Sequence, residues 1–399
     1  MIRSPFVGLL LAAVVCSAAY ANEQSLLLST GEQTKGQAIG LNDGALQITS
    51  DGGDEQEYAA GRWIRWGHPA TPAARPAAYF GHQSVLVSKT DWTGKVPIII
   101  NGDSVTIATT SLGKATLSRD DVRCLLFAAA KEPKLAARIL KQCATTADDD
   151  RVWLLEGDLL TGKIVDFDGT TLNLEFSGQT LPMLANTIAA VAFAKQAQPT
   201  GIEAKYLVGL EDGSLVEATD CTLSSDHLLL QSTGEWTTKS IDKLVFLQSL
   251  AGGVQYLSDL DAVDFSHTPY FSGEWPLGRD CNLEGGPLQS AGQRYAKGLA
   301  MHSAARAVYR VPEGVSTFAA DVTLDDSVGK SGSVVFRVYR VTAAGAEQAY
   351  ESEVVRGGDA PQAVRVPLEG VAAVVLVVDY ADYGDQQDHA NWLDARFVP

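Results

Sequence analysis

The chain has 399 residues, a formal charge of −17 and 46% hydrophobic residues. That length accommodates two or three domains with cores of their own. So acidic a surface, with no basic stripe to interrupt it, repels phosphate backbones and excludes nucleic acid as a partner.

The chain begins MIRSPFVGLLLAAVVCSAAYANEQ, with one cation (Arg3), an apolar run from Phe6 to Val15, and then Ala19-Tyr20-Ala21. The small-x-small spacing fits a signal peptidase, so residues 1–21 are expected to be a leader cleaved after Ala21. An uncleaved anchor would need a longer apolar run. Lipoprotein processing would need a small residue before Cys16, where Val15 stands. Loss of Arg3 takes the charge from −17 to −18. No later stretch is long and apolar enough to be transmembrane, and the expected location is periplasmic, cell-surface or secreted.

Residues 22–250 are rich in glycine and short alternating apolar runs, the pattern of strands. One unit recurs four times. The third copy reads WLLEGDLLTGKIVDFDGTTLNLEFSGQTLPMLANTIAAVAF and the fourth YLVGLEDGSLVEATDCTLSSDHLLLQSTGEWTTKSIDKLVF. Each gives a strand, a Gly or Asp-Gly turn, two more strands, a polar turn and a closing strand that ends in Phe193 or Phe246. The second copy ends at Phe127, and the first, Leu26 to Trp66, is fainter. Units this short need to share a core, so curled sheets or five-stranded barrels packed in pairs are expected. The strand order resembles small SH3-like or Sm-like barrels. Two such units fill residues 22–130 and two fill 151–250.

Between the first two copies, RWGHPATPAARPAAYFGH (65–82) reads as a proline-rich linker, with His68 and His82 as surface residues. Between the middle two, KEPKLAARILKQC sets Leu135, Ile139 and Leu140 on one face of a helix, giving a helical linker over 131–150 that runs into the solvated loop ATTADDD. Four cysteines follow the leader: Cys124, Cys143, Cys221 and Cys281. Their spacing fits no zinc pattern. In an exported chain Cys124 and Cys143, which flank one short segment, form the expected bridge.

The character changes at Val254. RAVYRV, STFAADVTL, GSVVFRVYRV, AYESEVV, QAVRVPL, AAVVLVVDY and WLDARFV follow one another without helices, which predicts a two-sheet β-sandwich over 254–399. Four motifs in order, WPLGRD, GGPLQSAGQRYAKGLAMHS, DVTLDDSVGKSGSVVFRVY and DHANWLDARF, resemble the NPCBM family, the carbohydrate-binding modules attached to family 98 glycoside hydrolases and also classed as carbohydrate-binding module family 51. The resemblance implies a galactose-binding-like jelly roll and a galactose-type glycan as ligand. It covers the last third alone and brings no enzyme with it.

On that fold the stretch YADYGDQQDHANW becomes a loop and the start of the last strand. Alternation puts Leu393, Ala395 and Phe397 inward and Trp392 on the opposite face, where it either stacks on a sugar or plugs the end of the sandwich. His302, His389, Asp325, Asp326 and Asp388 are candidate partners for sugar hydroxyls at the same edge. Asp379, Asp382 and Asp385 recur every third residue and are candidate ligands for a structural calcium, the alternative being solvated acids. Hydrolysis needs two carboxyls across a cleft, whereas these lie together on one loop, and no G-x-S-x-G elbow occurs. The expectation is an exported, non-catalytic carbohydrate-binding protein. The alternative is a cell-envelope scaffold that binds protein partners through its repeats and carries a degenerate sugar module.

Overall fold

The computed structural model describes residues 24–399 apart from 51, 73–74, 90–94, 128–132, 144, 146, 195–202, 239–240, 271–272 and 383. The expected leader and Cys16 lie outside the described residues, as does the side chain of Leu135. The described chain is nearly all strand. No helix among the described residues is long and apolar enough to cross a membrane.

Each of the four repeats is a set of short antiparallel strands, and the last three place a 3-10 turn before the closing strand. In copies one and three the second strand is long and bends at a glycine. A Cβ on Gly36 would lie 2.7 Å from the Thr49 carbonyl oxygen, and one on Gly162 would lie 2.5 Å from that of Glu175. Without a side chain at the bend, Gln33–Asn42 and Leu159–Phe167 each run from one sheet into another.

The pairing of the copies is nested. Copy one meets copy four, with Trp66 opposite Leu247 and Leu41 opposite Leu223. Copy two meets copy three, with Leu125 opposite Val191 and Phe167 opposite Ile100. These partnerships cross the grouping by sequence, because the closing strands of copies one and four, and of two and three, add to each other edge to edge. Leu215 opposite Val85 then joins the two pairs into one continuous sheet. Trp63, Phe80, Phe167 and Leu247 belong to a single apolar core that all four copies share, as units too small to bury their own faces require.

Three sequence expectations change here. Arg65 and His68 belong to or adjoin the Trp63–Gly67 strand, and only the residues after it connect to Ala77–Phe80. His82 is exposed, but His68 is half-buried against the C-terminal domain, where its Nδ1 lies 3.0 Å from the Arg294 carbonyl and burial lowers its pKa to about 4. Asp150 is no solvated acid: it is buried and accepts bonds from Arg119 (2.5 Å), the Ile164 amide (2.6 Å) and the Ala194 amide (2.6 Å). The helix Pro133–Cys143 forms as expected and lays Ile139 and Cys143 on Trp153 and Ala189. Cys143 Sγ comes to 2.7 Å from Cys124 Sγ, both thiols buried and free.

The C-terminal domain is a sandwich of two antiparallel sheets. One runs Gly278–Arg279, Gly298–His302, His389–Val398, Thr317–Leu324, Gln362–Pro367, and Gln255–Tyr256 also pairs with its long middle strand. The other runs Asp264–His267, Ala305–Arg310, Ala373–Tyr380, Ser333–Thr342, Gly345–Glu351. Phe318, Phe336, Val338, Leu376, Trp392 and Phe397 fill the space between them.

Candidate functional site

Trp392 is fully buried, its ring edge-on to Phe336 at 5.1 Å and tilted on Phe318 at 6.2 Å. It plugs the sandwich and presents no face to a ligand. The expected alternation fails because the strand breaks step: Asp394 takes φ 48°, and the register against Thr317–Leu324 shifts between Ala319 and Asp321. The bulge lets both Trp392 and Ala395 face the core.

The acids also have structural work. Asp325 is buried and accepts bonds from Asn391 (2.8 Å) and Asn282 (3.2 Å) side chains and from the Gln289 and Ser327 amides, each at 3.1 Å. Asp326 accepts from the amides of Ala291 (3.0 Å) and Gly292 (2.8 Å). Together they pin the Leu288–Ser290 and Gln293–Tyr295 hairpin to the sandwich. Asp388 is turned inward onto the Ser333 amide at 2.8 Å, and burial raises its pKa to about 6. The proposed calcium ligands do not converge. Asp379 pairs with Arg337 at 2.9 Å and Asp382 with Arg356 at 2.6 Å. Among the described residues no three His, Cys, Asp or Glu side chains group to hold a metal ion.

His302 and His389 do come together, as direct cross-strand partners with ring centroids 5.9 Å apart. Two residues the sequence reading passed over complete the cluster. Trp275 lies parallel to His302 at 5.2 Å and against His389 at 5.3 Å, and His267 stands edge-on to His302 at 5.5 Å. The Trp275 amide donates to His267 Nδ1 at 3.2 Å, which fixes the loop to the strand end. Trp275 is half-buried and borders an open cleft of about 520 Å³ lined by Phe265, Ser266, His267, Glu274 and Pro276. The visible signal was the Trp-Pro pair in GEWPLG, an aromatic held in a loop too polar and irregular to be a core strand.

The electrostatics follow from burial. Desolvation lowers the pKa of all three histidines, and the proximity of His389 and His267 helps take His302 down to about 4. At neutral pH the cluster is therefore uncharged, so each ring has one donor and one acceptor nitrogen. Nδ1 of His302, Nδ1 of His389 and Nε2 of His267 are buried and have no hydrogen-bond partner among the described residues. Asp385 and Glu274 bring negative charge to the surroundings. Such a site offers an aromatic face over an uncharged cluster, and disfavours an anion.

A Ser–His–Asp grouping elsewhere lacks catalytic geometry. Ser224 Oγ and Asp226 Oδ1 both lie 2.8 Å from the same nitrogen, Nδ1 of His227, whereas a relay needs them on opposite nitrogens.

Residues 253–398 match the family model described as NPCBM/NEW2 domain. The C-terminal third is thus NPCBM-like. The match begins one residue before the expected boundary at Val254 and takes in the whole cleft. Over 121 residues the chain is 32% identical to "Putative endo-alpha-N-acetylgalactosaminidase" of Renibacterium salmoninarum, covering 30% of this chain and 8% of that protein. Among solved structures, the chain is similar to a CBM51 module with INT domains from Clostridium perfringens ZmpB in complex with GlcNAc, at 26% identity and a TM-score of 0.33, over 46% of this chain and 38% of that one. It is also similar to the CBM51 of Clostridium perfringens GH95 in complex with methyl-galactose, at 25% identity and a TM-score of 0.32, over 36% of this chain and 99% of that one. The chain thus spans a small part of the curated relative and well under half of the first structure.

Proposed function

We propose that the protein is an exported, non-catalytic carbohydrate-binding protein whose NPCBM-like region holds a neutral, galactose-type sugar at the Trp275 cleft. The observation that carries this reading is the half-exposed Trp275 ring on the border of the cleft, backed by the rings of His302 and His389. An indole face packs on the C–H side of a pyranose, and the polar side chains that line the cleft, Ser266 and Glu274, exchange hydrogen bonds with its hydroxyls. Binding without cleavage fits the position of Asp388: the carboxyl whose pKa is raised to about 6, the property of a general acid, is bonded to a backbone amide and closed off from the cleft. Export rests on the leader pattern of the first 21 residues.

A glycan array probed with the full chain tests the reading. Trp275→Ala is expected to weaken binding to any neutral sugar at least tenfold, about 1.4 kcal/mol, and to leave the thermal midpoint within a few degrees. Chelator is expected to change nothing, because arginines hold Asp379 and Asp382. Undiminished binding by Trp275→Ala would sink the assignment.

One observation favours the second reading, a scaffold that binds protein through its repeats. Leu155, Leu159, Phe176, Leu181 and Leu184 of copy three are all exposed, and solvent-facing apolar residues concentrated on one unit mark a contact surface. Pull-down that requires copy three and ignores competing sugars would support it over the first.

A further inference from the structure

Two further aromatics stand at the same end of the sandwich, and the cleft does not use them. Tyr270 is 62% exposed and Tyr380 46%, with rings edge to face at 6.4 Å. Among the described residues of the NPCBM-like region, only Val263 joins them as a strongly exposed large hydrophobic. Their position follows from the ladder. His267 pairs with Ala305, and Ala305 pairs with Val378. Tyr270 lies three residues past His267 and Tyr380 two past Val378, at the same sheet end. The loop that leaves Tyr380 carries Asp385, whose charge acts on both His267 and His302. Beside Tyr380 the half-exposed pairs Asp379–Arg337 (2.9 Å) and Asp382–Arg356 (2.6 Å) supply carboxylate and guanidinium groups.

We propose that Tyr270 and Tyr380 form an outer subsite for the second residue of a neutral oligosaccharide whose terminal residue sits against Trp275. The inference rests on the carbohydrate reading of the cleft and adds that the ligand is a chain rather than a single sugar. Two phenol rings at right angles make a corner: one ring face meets the C–H side of a pyranose, while hydroxyls and the neighbouring ion pairs meet its polar edge. Two rings are far too little area for a stable protein interface, which buries about 800 Å² on each partner, but they match one sugar ring.

Calorimetry on the full chain separates the two claims. Methyl galactoside and N-acetylglucosamine serve as monosaccharide probes, with neutral tri- and tetrasaccharides that end in the same residues beside them. The wild type is expected to prefer the oligosaccharide at least fivefold. Tyr270→Ala with Tyr380→Ala is expected to abolish that preference and leave monosaccharide affinity within twofold. The single Tyr380→Ser variant serves where the double variant has a lowered thermal midpoint. A wild type without the preference, or variants that keep it, overturns the outer subsite while the cleft stands. Trp275→Ala that leaves monosaccharide affinity intact overturns the cleft reading instead, and a wild type that binds no sugar overturns both.

Discussion

Trp392 and Trp275 show how one residue type takes opposite roles within 120 residues of chain. Both stand beside polar neighbours in the sequence, in HANWLD and GEWPLG. Period-two alternation reads Trp392 as facing outward, and it would be right if the last strand were regular. The strand is irregular because Asp394 adopts a left-handed backbone to reach Arg65 and Gln248, residues more than a hundred positions away that no local pattern reveals. The histidines illustrate the complementary case. His302 and His389 were legible as site residues because both fall at strand ends in the motifs of the resemblance. His267 lies outside those motifs, and Trp275, although it opens one of them, gains its relevance from a loop folding back over a strand. Trp392→Ala is expected to cost about 3–5 kcal/mol, the range for deleting a large core aromatic, and to abolish binding only by loosening the fold. Trp275→Ala is expected to cost under about 1 kcal/mol, as a substitution outside the core. Urea denaturation of the two variants checks the contrast, and equal losses would contradict these placements.

At the scale of elements, the site is made by strand ends. Asp264–His267, Gly298–His302 and His389–Val398 come from both sheets, and each contributes one imidazole where the two layers meet. The strands themselves were readable from their alternation, whereas the meeting of their ends depends on sandwich closure. The cluster gives stability a defined response to acid. His302 titrates at about 4 in the fold against 6.5 unfolded, and His267 and His389 are lowered as well. The unfolded chain therefore takes up these protons first, so their contribution is complete above about pH 6.5 and falls as the pH drops toward 4. Asp388 acts in the opposite sense. Its pKa is raised from 3.8 to about 6, so the folded state takes up that proton first, and its contribution is greatest below 3.8 and lost as the pH rises through 6. Within the cluster three histidines outweigh one carboxyl; elsewhere His68, lowered to about 4, adds to them, while Asp280 and Asp321, raised by burial, act with Asp388. The cluster's own contribution to the thermal midpoint is expected to fall between pH 6.5 and 4. Asp388→Asn removes the opposing group and should make that fall steeper. A midpoint independent of pH over this range, or a shallower slope in the variant, would contradict the assignment.

At the scale of the molecule, the repeats and the NPCBM-like region form one packed body rather than two beads on a linker. Leu27 and Ile64 of the first copy share a cluster with Val254, Tyr256 and Val398. Through it runs a buried polar network. Arg65 meets Asp394 at 2.9 Å with both side chains almost wholly enclosed, and Gln248 donates to the other oxygen of Asp394 at 2.9 Å and to the Tyr256 hydroxyl at 3.0 Å. His68 packs edge-on to Tyr295 at 4.8 Å, and Arg294 donates to the Ala70 carbonyl at 2.6 Å. The two parts were separable in the sequence, since the boundary near residue 254 is sharp, but their docking was invisible because its residues are scattered through all the motifs. The docking matters for the site. The bulge at Asp394, which turns Trp392 into the core, is held open by partners that belong to the repeats. Removing one partner leaves a buried charge without compensation, at a cost of about 3–5 kcal/mol, whereas replacing both by apolar residues of similar volume is far less harmful. Arg65→Met alone is therefore expected to lower stability strongly, and Asp394→Leu in the same background to restore part of the loss. A double-mutant cycle by denaturant titration reads the coupling directly. Additive effects would show that the pair contributes nothing beyond its members, and the repeats would then have no hand in shaping the last strand.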